Sequence, residues 1–177
     1  MIPLYLLGKI KQMGTPDFSQ LEMVLYGERP SRPVLFEFFL NDKLYHYLTG
    51  KQMENCSMNE EKIAIVIEAF RNAGYDYVTL PCWNTSTLKF KSGEKHKEES
   101  LSLMVYEQYS SRITLLGGMD MDFLARANPA DIRDRAVNLL KLTAARGRYA
   151  LGSGNSIPEY IPFENYFAMN SAVEEMI

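Results

Sequence analysis

Arg112-Ile-Thr-Leu-Leu-Gly-Gly-Met-Asp-Met-Asp-Phe-Leu124 is the stretch from which the fold is read. A short apolar run with a β-branched start stands directly before two glycines and two carboxylates, as in a buried strand ending in a loop that comes close to a ligand. Ile113 to Leu116 is therefore expected as a strand and Gly117 to Asp122 as its functional end. Asp120 and Asp122 are candidate catalytic carboxylates there, and Gly117 and Gly118 are candidate substrate-binding positions.

Downstream, Asn128-Pro129 opens a helix, and Ile132, Ala136, Leu139, Leu140 and Thr143 form one apolar stripe until Gly147 stops it. Tyr149-Ala-Leu-Gly152 reads as a second short strand that runs into Gly152-Ser-Gly-Asn-Ser-Ile-Pro158. Parallel strands joined by helices place ligands at their carboxyl ends. Ser153 and Asn155 accordingly join Asp120 and Asp122 on one rim.

Upstream, Met1 to Thr15 reads as a loose arm, and Phe18 to Tyr26 as a short helix ended by Gly27. Arg29-Pro-Ser-Arg-Pro33 forbids helix, and Val34-Leu-Phe-Glu-Phe-Phe-Leu40 is an apolar strand with one embedded acid, Glu37. That acid either points into a polar centre or pairs with an arginine, or it serves a ligand or proton-transfer role, which makes it a third catalytic candidate. Asn41 to Gly50 forms a short helix carrying His46, a lone histidine of structural type. Asn59 caps the next helix, with Ile63, Val66, Ile67 and Phe70 on its apolar face before Gly74. Tyr75 to Pro81 is the strand that follows, and Cys82 and Trp83 stand at its end, Cys82 as a packed thiol. Residues 85–109 form an irregular junction with a solvent-facing mixed-charge run from Lys91 to Ser100, and the last helix opens at Pro162 with Tyr166, Met169, Val173 and Met176 on one side.

The whole chain of 177 residues suits one domain, 1–177, and 46% hydrophobic with 23% charged residues is ordinary for a globular core. A net charge of -3 gives no electrostatic reason for nucleic acid or a membrane surface. Two separated cysteines, Cys56 and Cys82, without CxxC spacing point to a reducing, cytoplasmic setting, and no apolar run is long enough for a membrane span. No cofactor and no metal are expected.

The stretches Arg32-Pro-Val-Leu-Phe-Glu-Phe-Phe39, Ala73-Gly-Tyr-Asp-Tyr-Val-Thr79, Arg112 to Asp122 and Leu151-Gly-Ser-Gly-Asn-Ser-Ile-Pro158 with Pro162-Phe-Glu-Asn165 together resemble the uroporphyrinogen decarboxylase superfamily, which also holds corrinoid-dependent methyltransferases. The likeness runs from about Leu21 to the C-terminus. It implies an α/β fold cut from a (β/α)8 TIM barrel: about four parallel strands in an order resembling 7-8-1-2 with outer helices, the middle of the barrel being absent between about Phe90 and Tyr106.

The same likeness implies a carboxy-lyase of porphyrin biosynthesis whose rim holds a small polar or tetrapyrrole-type ligand, with Asn41, Trp83, Gly117, Gly118, Ser153 and Asn155 as binding positions. Key family positions are unmatched. Where the decarboxylases carry Arg-Gln-Ala-Gly-Arg to hold carboxylates, this chain has Phe38-Phe39-Leu40-Asn41-Asp42. Their catalytic aspartate falls near Trp83 and a loop histidine at Ser153, while a zinc-binding cysteine of the methyltransferases falls at Asn155. The alternatives are a corrinoid-linked methyltransferase relative and a non-catalytic half-barrel that self-associates as a homodimer to cover its open sheet edges.

Overall fold

The computed structural model describes residues 15–80 and 103–176, with the side chains of 103–105 left aside. In chain order the elements are α1 (Phe18–Tyr26), α2 (Asp42–Thr49), a 3-10 turn (Met53–Asn55), α3 (Asn59–Asn72), α4 (Leu103–Tyr109), β1 (Leu115–Met119), α5 (Met121–Arg126), α6 (Pro129–Thr143), β2 (Tyr149–Ser153), α7 (Phe163–Ser171) and a closing 3-10 turn (Ala172–Met176). The expected arm at 1–15 lies almost wholly outside the described residues, as do Cys82, Trp83 and most of the 85–109 junction.

β1 and β2 pair in parallel, with Leu115 opposite Tyr149 and Met119 opposite Ser153. The helix pair between them makes this the βαβ unit read from the sequence. Asn128 caps α6 by accepting from the Asp131 N–H, Pro129 occupies its first position, and Ile132, Ala136, Leu139, Leu140 and Thr143 are all buried. β1 begins two residues later than expected and takes in both glycines, because the pairing continues as far as Met119 opposite Ser153.

The sheet is smaller than the four strands expected: among the described residues two are regular strands. Val34 to Phe36 lies along the free side of β2, with Leu151 N–H donating to Val34 O at 2.9 Å and Phe36 N–H to Leu151 O at 2.7 Å, yet only Leu35 forms a bridge. The next rung of a parallel ladder would take the Ser153 N–H. Here that N–H donates to Glu37 Oε1 at 2.6 Å instead, so the strand's own side chain ends its pairing. The following segment, Tyr75 to Leu80, is not a strand either. It meets Glu37 through one phenol: the Glu37 N–H donates to Tyr77 Oη at 2.6 Å and Tyr77 Oη–H donates to the Glu37 carbonyl. The Thr79 hydroxyl donates to the Phe38 carbonyl in the same way.

Two apolar clusters enclose this sheet. The larger contains Leu35, Leu115 and Leu151 from the strands with side chains of α2, α3, α6 and α7, and Val78 packs against it. The smaller lies on the other face, where Leu21 and Val24 of α1 bury Val34 and Ala150, with Phe36, Tyr77 and Leu116 packed around them. Leu115 and Val78 thus pack on the helix side, and α1 supplies part of the wall over the other face. On α3 the buried side chains are Ile65, Val66, Ala69 and Phe70, while Ile67 is exposed and Ile63 half-buried. The expected face is therefore turned by part of a helical turn. Asn59 is that helix's first residue and not its cap, and Glu61 accepts from the N–H groups of Ser57 and Met58.

Asn41 behaves as a structural residue in this frame. Its Oδ1 accepts from the Leu44 N–H at 2.9 Å to cap α2, and its Nδ2 donates to Pro158 O at 3.1 Å. Replacing Asn41 by alanine is expected to cost about 1–2 kcal/mol, from the lost cap and the freed loop carbonyl. Urea unfolding would measure it, and a loss below a few tenths of a kcal/mol would contradict this assignment.

Candidate functional site

The carboxyl ends of β1, β2 and the 34–37 segment meet at Glu37. Its side chain is 1% exposed, and it accepts from the Ser153 N–H while Oε2 lies 2.7 Å from Ser153 Oγ. Burial is the main influence on its ionisation and pushes the carboxyl up to about 8; the Ser153 N–H pulls the other way. Arg32 does not serve as its counterion. That guanidinium is held by both oxygens of Asp76, which also accepts the Asp17 N–H at 2.8 Å and so ties α1 to the 75–80 segment. Of the two sequence readings of Glu37 as a structural acid, the polar centre fits and the arginine pair does not.

That centre is made of phenols. Tyr75 and Tyr166 place their hydroxyls 3.0 Å apart, and burial raises both well above the ordinary phenol range. Asn170 Nδ2 lies 3.5 Å from Tyr75 Oη, while Asn170 Oδ1 is buried without a hydrogen-bond partner.

Close packing brings the strands to this point. A Cβ on Gly152 would sit 1.7 Å from the Phe36 carbonyl oxygen, and one on Gly117 would sit 2.2 Å from the Ser153 carbonyl oxygen at a φ of +87°. The two glycines thus serve backbone against backbone. Gly118 also has a positive φ, of 104°.

The sequence-predicted rim residues divide clearly. Asp120 follows Met119, which pairs with Ser153, so the two stand at the same end of the sheet. Asp120 is also a helix cap, accepting from the Phe123 N–H at 2.7 Å. Asp122 is exposed and pairs with Arg126 at 2.8 Å across one helical turn. The Asn155 side chain accepts from the Ser156 N–H at 2.7 Å, and its backbone carbonyl faces Ser153 Oγ. The loop after β2 also has its backbone donors turned inward. All five N–H groups from Ser153 to Ile157 are engaged internally, by Glu37 Oε1, Met119 O, Ser153 Oγ, Asn155 Oδ1 and Phe39 O in turn.

Sequence reasoning missed Tyr77, Tyr166 and Gly152 as organisers of the site. Only Gly152 left a local signal, a glycine inside a strand pattern, which marks close backbone approach. His46 is exposed, and its Nδ1 lies 3.2 Å from the Lys51 carbonyl. Among the described residues no group of three His, Cys, Asp or Glu side chains is placed to hold a metal ion, and no helix is long and apolar enough to cross a membrane.

The family model for uroporphyrinogen decarboxylase (URO-D) matches residues 45–176, well over half of the chain. The matched span begins in α2 and includes β1, β2 and the loop that follows, while Glu37 lies ahead of it. No curated protein and no solved structure gives a significant match.

Proposed function

The chain belongs to the uroporphyrinogen decarboxylase family, and from that membership we propose that it is a ligand-binding relative on a partial (β/α)8 barrel that does not itself decarboxylate uroporphyrinogen. The observation that carries this reading is that neither the backbone N–H groups of the last loop nor Arg32 is left as a donor for anions at the described rim. The loop N–H groups from Ser153 to Ile157 are all engaged, and Arg32 is paired with Asp76. A substrate rich in carboxylates needs charge-assisted donors. The side chains around this rim instead offer carboxyl and amide oxygens from Asp120 and Asn155 beside an aromatic surface, Phe38 edge-on to Phe36 at 5.2 Å and Phe36 stacked on Tyr77 at 5.3 Å. Those groups suit a small polar ligand with donors of its own, or the flat face of a tetrapyrrole-type ring. Anaerobic incubation with uroporphyrinogen is expected to give no product above the uncatalysed rate. Sustained turnover would overturn the proposal and return the chain to the decarboxylases.

Self-association is a second part of this reading, supported by the apolar side chains left at the sheet's margins. Phe38 is 52% exposed, Ile113 50% and Leu80 47%. A partial barrel leaves strand edges open, and association of two copies covers both edges and apolar groups. Sedimentation velocity at micromolar concentration is expected to show a concentration-dependent dimer; a single compact monomer across the range would exclude it.

A further inference from the structure

We propose that Glu37 is a protonated latch, a neutral carboxylic acid whose O–H donates to Ser153 Oγ and thereby keeps the loop from Ser153 to Pro158 closed on the end of β2. Ser153 Oγ touches the Glu37 carboxyl oxygen and the Asn155 carbonyl oxygen, and the Asn155 N–H points at it from 3.3 Å. A serine hydroxyl has one hydrogen. With an ionised Glu37, two acceptors compete for that hydrogen and one of the two contacts sets oxygen lone pairs against each other. With a proton on Oε2 every contact is satisfied: Oε2–H donates to Oγ, Oγ–H donates to Asn155 O, and the N–H groups of Asn155 and Ser153 donate to Oγ and Oε1.

The surroundings agree with a neutral acid. Among the described residues the titratable groups that face Glu37 are Tyr75 and Tyr77 from one side and Tyr166 of α7 from another, all phenols; β2 contributes Ser153, and no described cation lowers the carboxyl's affinity for its proton. The loop held by this contact is otherwise anchored through Gly154 N–H on Met119 O, Ile157 N–H on Phe39 O and Asn41 Nδ2 on Pro158 O. Losing the proton from Glu37 strikes the one anchor of the loop, among those the described residues make, that depends on pH. Asn155 lies on this loop, so the latch also sets the shape of the proposed ligand rim. Only that consequence rests on the ligand-binding reading.

The test needs no ligand, so its failure and the failure of that reading are distinguishable. Infrared spectra of the whole chain, with Glu37→Gln as the subtraction partner, are expected to show the C=O stretch of one buried protonated carboxyl near neutral pH, fading as the pH passes about 8. Hydrogen exchange at Gly154 to Ile157, taken as the ratio of natural chain to Glu37→Gln at each pH, is expected to rise about tenfold per pH unit between about 4.5 and about 8 and then level off. A carboxylate band at neutral pH, or a ratio that does not change with pH, would overturn the latch. If Glu37→Gln does not fold, Ser153→Ala takes its place: the carboxyl band should shift to lower pH or vanish in it, and an unchanged band would count against the contact.

Discussion

With glutamine at position 37 the chain is expected to be more stable at pH 8 than with glutamate, and the difference is expected to close as the pH falls toward 4. Burial holds the folded-state carboxyl at about 8, against 4.5 for an ordinary glutamate. Between those two values the unfolded chain has released a proton that the folded chain still binds. Stability rises with pH only where the unfolded state binds more protons, so here it falls as pH rises through the window and is fully present only below it. Each pH unit of the window is worth about 1.4 kcal/mol, so the difference reaches about 4–5 kcal/mol as an upper figure. Glutamine retains the acceptor for the Ser153 N–H and supplies N–H donors toward Ser153 Oγ, so it reproduces the neutral acid without the titration. Urea unfolding of both chains at a series of pH values would measure the gap. Parallel curves, or a natural chain that gains on the variant with rising pH, would show that Glu37 is ionised when folded.

Gly152→Ala is the second large effect. The added methyl would meet the Phe36 carbonyl oxygen at 1.7 Å and the Phe36 carbonyl carbon at 2.8 Å, both backbone atoms that rotamer changes cannot move. Relief requires pushing Val34 to Phe36 off β2, which breaks the bonds Leu151 makes with that segment and disturbs the Glu37 contact with Ser153. The expected loss is about 3 kcal/mol or more, at or above the upper end of overpacking costs because the strand pairing goes with it. Gly154→Ala is the matched control, since its nearest contact is Met119 O at an ordinary 3.6 Å. Thermal or urea unfolding of the pair should separate them widely. Equal losses would mean that the Val34 to Phe36 segment does not press on Gly152 in solution.

The sequence was most readable where local signals and burial agree. Asn128-Pro129 starts α6, and its stripe is buried residue for residue; Asn41 and Gly50 bracket α2; Gly27 ends α1. The two strand ends of the glycine-bearing loops were also legible, because a short apolar run before Gly-Gly-Met-Asp or Gly-Ser-Gly has few alternatives. What could not be read is what one segment does to another. Val34 to Leu40 has strand composition, but its pairing ends where the Glu37 carboxyl takes the Ser153 N–H, a partner 116 residues away. The Ser153 to Ile157 loop has ligand-loop composition, but its donors are used by Glu37, Met119 and Phe39 as well as by the loop itself. Arg32 and Asp76 likewise find each other across 44 residues. Composition lists available donors and acceptors; only the fold says which have been used.

The phenol of Tyr77, which takes both the N–H and the carbonyl of Glu37, also bears on how this chain can change length. Two strands locked in a ladder must keep step, since a slip of one residue turns every side chain to the opposite face. Joints made by single oxygens, here the Tyr77 phenol and the Thr79 hydroxyl, have no step to keep. Residues can be added or removed beyond Thr79 without shifting the pairing of β2 with its neighbours, provided the Tyr77 ring itself stays in place. The point after Thr79 is therefore where a graft, a tag or a circular opening of the chain should be tried first, with the amide exchange of Leu151 reporting whether the sheet has noticed.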